Sequence, residues 1–172
     1  QPKLTSLPST LTFLHCHATH GQVNSNMFPA GLRALSLHST SRASFEGPIV
    51  WPSGMTSIHL TSFLVPDFFD VPPTLTSLQL KFSGTTDINP ILDRIPATLQ
   101  HLTLPEYDIQ NEHVSRLPKR LVRLSACVEI TEAGVQGLPK TLAYCGPVKG
   151  DPASPLAELF PDYCEVKWRR SW

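Results

Sequence analysis

The chain has 172 residues with 14 basic and 14 acidic side chains, and its charged fraction of 16% is low for a globular domain, where about a quarter is usual. Balanced charge argues against a polyanion such as nucleic acid as the main partner, because neutralising phosphates needs a basic surplus. The 17 prolines suggest a linker or disordered tract, but a hydrophobic content of 41% excludes that and directs attention to where the prolines fall.

They fall in register. An apolar residue and Pro are followed by apolar residues at positions three, six and eight after the Pro. In chain order, Leu7-Pro8 leads to Leu11, Leu14 and Cys16, and Phe28-Pro29 to Leu32, Leu35 and Leu37. Trp51-Pro52 leads to Met55, Ile58 and Leu60; Val71-Pro72 to Leu75, Leu78 and Leu80. Ile95-Pro96 is followed by Leu99, Leu102 and Leu104, Leu117-Pro118 by Leu121, Leu124 and Ala126, and Leu138-Pro139 by Leu142 and Cys145. Successive prolines are 21, 23, 20, 24, 22 and 21 residues apart. The last two apolar residues alternate with polar ones, which is the period of a half-buried strand. Proline at the strand entrance presets φ and removes an N–H that has no ladder partner there. Seven strands are therefore predicted, one after each of these prolines.

Between strands, residues 89–95, 111–117 and 131–138 carry Ile91, Leu92 and Ile95, Val114 and Leu117, and Val135 and Leu138 at helical spacing, so short helical turns are predicted. Thr131 is placed to cap the last of them. Residues 39–50 and 61–70 have less helical period and more Ser, Phe and Pro, and are expected to be extended or irregular. At the C-terminus, Phe160-Pro161 is followed by Tyr163, Glu165 and Lys167 alternating with Cys164, Val166 and Trp168, a final cap strand after a short helix at 156–160.

A period of 20 to 24 residues with this spacing resembles the leucine-rich repeat family, whose core is L-x-x-L-x-L. The form L-P-x-x-L-x-x-L-x-L is similar to repeats of bacterial type III effectors and to short repeats of some protists. The resemblance covers about residues 4–149 and implies an α/β solenoid with a parallel concave sheet of about seven strands, a cap strand, and a convex side irregular early and short-helical late. Its domains are a repeat array over 1–149 and a cap with a basic, aromatic tail (Arg169, Arg170, Trp172) over 150–172. Effector-type repeats place Asn three residues after the last strand Leu, but this chain has Thr19, Thr40, Phe63, Ser83, Tyr107 and Glu129 there, so the family's Asn ladder is missing. Leu4 and Leu7 repeat the spacing that precedes later prolines, so residues 1–7 read as the tail of an earlier repeat and the chain as part of a longer one or of an assembly.

Such a sheet offers solvent columns five, seven and nine residues after each Pro. The first contains Phe13, Ala34, Ser57, Ser77, His101, Arg123 and Tyr144; the second His15, Ser36, His59, Gln79, Thr103, Ser125 and Gly146; the third His17, His38, Thr61, Lys81, Pro105, Cys127 and Val148. Five of the seven histidines lie in these columns. Their cluster on the first three strands admits a plain polar surface, a protein-binding patch that depends on pH, or a transition-metal site. The last is disfavoured because no Asp or Glu lies near and because His15 and His59, two strands apart, are about 9.6 Å from one another. The expected role is recognition of another protein by Phe13, His15, His17, Ser36, His38, Ser57, His59, Gln79, Lys81, His101, Arg123 and Tyr144. A structural scaffold packed in a larger assembly is the alternative, and a metal-dependent enzyme using the histidines a remote one. Lys81 and Arg123 are the only permanent charges in the columns, which disfavours nucleic acid. No catalytic motif such as G-x-S-x-G, H-E-x-x-H or C-x-x-C occurs, and neither a cofactor nor catalysis is expected. No apolar run approaches membrane-spanning length, and few unpaired cysteines without an Asn-x-Ser/Thr sequon lean toward an intracellular, cytoplasmic setting without membrane contact. Cys145 and Cys164 are placed as neighbours, which leaves a bridge between them open.

Overall fold

The structure, a computed structural model, describes residues 7–18, 22–63, 70–81 and 87–169. The expected earlier-repeat residues 1–6, part of the irregular segment at 64–69, and Arg170 and Trp172 of the tail lie outside these.

The local unit is a turn closed by proline's carbonyl. Backbone N–H groups of Leu11, Leu32, Met55, Leu75, Leu99, Leu121, Leu142 and Cys164 donate to the carbonyl three residues earlier, always that of the repeat's proline, at 2.8 to 3.1 Å. Each turn delivers the chain into a strand five residues after its proline, except in the cap, where the strand begins at four. The chain divides into two compact units, Gln1–Thr85 and Thr86–Trp172.

In the first unit the strands are β1 (Phe13–Ala18), β2 (Gln22–Val23), β3 (Ala34–Phe45), β4 (Ser57–Phe63) and β5 (Ser77–Lys81). β1, β3, β4 and β5 pair in that order, all parallel, and β2 pairs with the far end of β3. Leu35, Leu37, Ile58, Leu60, Leu78 and Leu80 point to one side and are fully buried with Leu32, Met55 and Leu75 from the turns. Beyond them Phe28, Phe45, Trp51 and Phe63 form an aromatic layer with centroids 5.4 to 6.2 Å apart. Aromatic rings fill the space behind the sheet, so extended backbone suffices there: β3 runs on to Phe45 and the segment before it is a 3-10 turn, Ser25–Met27.

The second unit has β6 (His101–Gln110), β7 (Arg123–Glu129), β8 (Tyr144–Lys149) and β9 (Glu165–Arg169), again parallel in sequence order. Its return segments are helical: α1 (Asn89–Leu92), α2 (Asn111–Val114) and α3 (Glu132–Gly137). They bury Ile91, Leu92, Val114, Leu117, Val135 and Leu138 behind the sheet. The cap is the 3-10 turn Pro155–Leu159 followed by β9, with Trp168 edge-on to Phe160 at 6.0 Å. Thr131 departs from expectation. It sits at the N-cap of α3 without a side-chain cap bond, because its Oγ1 and its backbone N–H both point to Asn111 Oδ1, at 3.3 and 3.0 Å.

Candidate functional site

In the first unit the expected columns become aligned rows across parallel strands. Phe13, Ala34, Ser57 and Ser77 are register partners; so are His15, Ser36, His59 and Gln79, and so are His17, His38, Thr61 and Lys81. Parallel pairing keeps equivalent residues level, which is why a fixed spacing from proline is enough to build a row. Phe13, 58% exposed, stands at one end of the first row.

Ser36 is the centre of the site. Its side chain lies between His15 and His59, and only 8% of the residue is exposed. Ser36 Oγ is 3.0 Å from His15 Nδ1, 3.3 Å from His38 Nε2 and 3.5 Å from His59 Nδ1. His59 Nε2 in turn lies 3.1 Å from Thr61 Oγ1. The rings also touch one another: His15 and His17 at 5.4 Å, His15 and His38 at 5.2 Å, His38 and His59 at 4.7 Å, and His17 stacked on His38 at 5.2 Å. Burial pushes His38 below the ordinary 6.5, with added repulsion from His15 and then His17. Burial likewise lowers His59, with His38 and then His15 contributing. Three of the rings share the Ser36 hydroxyl, and of the ring pairs only His17 and His38 stack, the others meeting edge-on or tilted. Among the described residues no set of three or more His, Cys, Asp or Glu is arranged to hold a metal ion.

In the second unit the positions of the first column, His101, Arg123 and Tyr144, with Glu165 of the cap strand, are register partners of one another, and so are those of the second, Thr103, Ser125 and Gly146. The Arg123 guanidinium lies over the Tyr144 ring at 3.9 Å, with Lys167 Nζ at 5.9 Å. Tyr144 is consequently only 8% exposed, and Arg123 presents the surface in its place. The third column does not survive in this unit. Extra residues in β6 shift the register so that Asp108, not Pro105, pairs with Cys127, and a further shift leaves Val148 buried opposite Val128.

Sequence reasoning missed the residues two positions after each proline. Thr74 Oγ1 lies 2.9 Å from the carbonyl of Ser53 and 2.7 Å from that of Met55. Thr141 repeats the geometry on Lys119 and Leu121, at 3.1 and 2.7 Å, and the Tyr163 hydroxyl donates to Lys140 at 2.6 Å. These three hydroxyls tie their own turns to the ones before them. The signal was legible as Thr10, Thr74, Thr98 and Thr141 at one position of the repeat. His113 is also structural: its Nδ1 accepts from the Gln110 backbone N–H at 3.0 Å at the start of α2.

All four cysteines are free thiols, so no Cys145–Cys164 bridge is present. Burial, then the neighbouring Cys164, pushes the Cys145 thiol up to about 12. No helix among the described residues is long and apolar enough to cross a membrane. Compared with known proteins, the chain matches no protein-family model, no curated protein and no solved structure.

Proposed function

We propose that the chain is a leucine-rich repeat solenoid that recognises another polypeptide through the outer face of its strands. The repeat assignment is supported by the proline-closed turns and the row-by-row register within each unit. The observation that carries the functional reading is the outer face of the first unit. There, three aligned rows present Phe13, imidazoles, Ser, Thr and Gln, with one permanent cation, Lys81, and no carboxylate. Aromatic and adaptable polar side chains on a stiff sheet suit a polypeptide, which offers hydrogen-bonding groups along its length. Nucleic acid, a membrane and catalysis have no part in this role, and the free thiols favour an intracellular setting.

The test is site-specific photocrosslinking in cells of origin, with p-benzoylphenylalanine in place of Gln79, Ser57 or Glu46. Glu46 lies outside the rows. A discrete polypeptide adduct from Gln79 and Ser57 but not from Glu46 is expected; no adduct from the rows, or the same adducts from Glu46, overturns the reading.

A scaffold role is favoured by one observation. Leu11, Leu14 and Cys16 are half-buried, whereas their counterparts Leu32, Leu35 and Leu37 are buried. Another chain covering that flank would complete the row. Light scattering decides, because a monodisperse monomer removes this reading.

A further inference from the structure

A serine hydroxyl has one proton to donate and two lone pairs to accept with. Three imidazole nitrogens surround Ser36 Oγ, so the cluster is satisfied when one ring accepts the Ser36 proton and the other two donate N–H to it. Protonating all three rings would leave that proton without an acceptor and aim three N–H groups at two lone pairs. It would also place like charges on rings whose centroids are 5.2 Å (His15 and His38) and 4.7 Å (His38 and His59) apart. An anion seated on the outer side relieves both difficulties. It neutralises the charge and accepts from His15 Nε2 and His38 Nδ1, neither of which has a partner among the described residues.

The groups facing the cluster set the sign and the kind of anion. On β1 it meets His15 and His17, on β3 His38, on β4 His59 and Thr61, and on β5 Gln79 and Lys81. Arg42 follows further along β3, and Cys16 lies on the inner side of β1. None of the twelve row positions of this unit is Asp or Glu, so no internal counterion competes. None is Arg either, and phosphoryl groups, with close to two charges, are typically held by arginine forks. A carboxylate carries one charge and two acceptor oxygens, a match for a pair of imidazole N–H groups.

We propose that the cluster formed by His15, His17, Ser36, His38 and His59 binds the carboxylates of an acidic polypeptide segment with proton uptake, so that capture strengthens as pH falls through the histidine range. This rests on the recognition reading and gives that partner its chemistry. The lowered affinity of His38 and His59 for protons in the free protein leaves them neutral near pH 7 and ready to gain charge when a carboxylate arrives.

The probe is a fluorescein-labelled peptide of alternating Glu and Asp, compared with its Gln and Asn analogue and with a phosphoserine peptide lacking carboxylates, all at one ionic strength. Anisotropy is expected to show binding of the acidic peptide about tenfold tighter near pH 5.5 than near pH 7.5. Calorimetry in buffers of different ionisation enthalpy should show proton uptake. The double variant H38N/H59N should lose most of the pH dependence. In the unaltered protein, NMR titration of His38 Hε1 should move to higher pH when the peptide is added, a readout independent of any variant's folding. Binding that ignores pH, equal binding of the amide analogue, preference for the phosphopeptide, an unchanged ratio in H38N/H59N, or no binding overturns the proposal. If the acidic probe fails while Gln79 still crosslinks a polypeptide, the recognition reading stands and only the acidic chemistry falls.

Discussion

Ser36 and Thr74 show how single hydroxyls organise this protein, one at its surface and one in its frame. Thr74 Oγ1 sits within hydrogen-bond distance of two carbonyls of the preceding turn, and Thr141 does the same. Thr74→Val and Thr141→Val keep the shape and remove the donor, so each is expected to lower stability by about 1 kcal/mol in urea denaturation. The histidines act in the other direction. His38 and His59 bind protons less readily in the folded chain than at their ordinary 6.5. The unfolded chain therefore takes up more protons as pH falls below about 6.5, and the stability these groups contribute above that pH is lost on the way down. Thermal unfolding between about pH 7.5 and pH 5.5 should show a larger drop in Tm for the unaltered protein than for H38N/H59N. At Cys145, burial and a thiol pushed up to about 12 leave almost no thiolate near neutral pH. Native-state alkylation followed by mass spectrometry should find Cys145 unmodified, and label there before unfolding would contradict this.

The strands differ in how completely each is covered, although their sequences follow one pattern. Leu60 on β4 is fully buried, with β3 on one side and β5 on the other. Leu14 on β1 holds the equivalent side of the sheet but is half-buried. Leu60→Ala should cost about 2 to 5 kcal/mol, as cavity-forming substitutions in packed cores do, and Leu14→Ala distinctly less in the same assay. Helical returns in the second unit depend on close approach as well. A Cβ on Gly134 would run into the Asn111 side chain and Ile130, and Asn111 Oδ1 is the acceptor that holds Thr131. The early returns need no helix because Phe28, Phe45, Trp51 and Phe63 supply the bulk that helices supply later.

At the scale of each whole unit, strands pair chiefly with their neighbours in sequence, and protection should follow the number of paired sides. Hydrogen exchange is expected to be slowest for amides of β4 and β7, which have strands on both sides, and faster in β9, which pairs only with β8 among the described residues. Uniform protection of β9 and β7 would count against this. The strand starts were legible because proline, a turn and a parallel register are all local and repeat along the chain. The rows of the first unit followed from the same spacing. What the spacing could not carry were features that depend on a neighbour. The extra residues of β6 shift its pairing with β7 and remove the third column, although Leu102 and Leu104 are in register. Tyr144 occupies the outer row as expected, yet Arg123 from the adjacent strand covers it. Ser36 is expected on the binding face, but its place at the centre of the cluster is not legible from spacing, since it arises only when three rings on three strands turn toward it.

The ties at the strand entrances have a consequence for how this chain can change length. Proline's carbonyl, the hydroxyls of Thr74, Thr141 and Tyr163, and the backbone bonds from Arg33, Thr56 and Val122 all act within the first few residues of a repeat. Strand exits are held to no common length: β3 spans 12 residues and β5 only 5. Insertions placed after a strand can therefore be absorbed in that repeat's return without disturbing the next, whereas one residue added between a proline and its strand would put every following side chain of that strand on the wrong face.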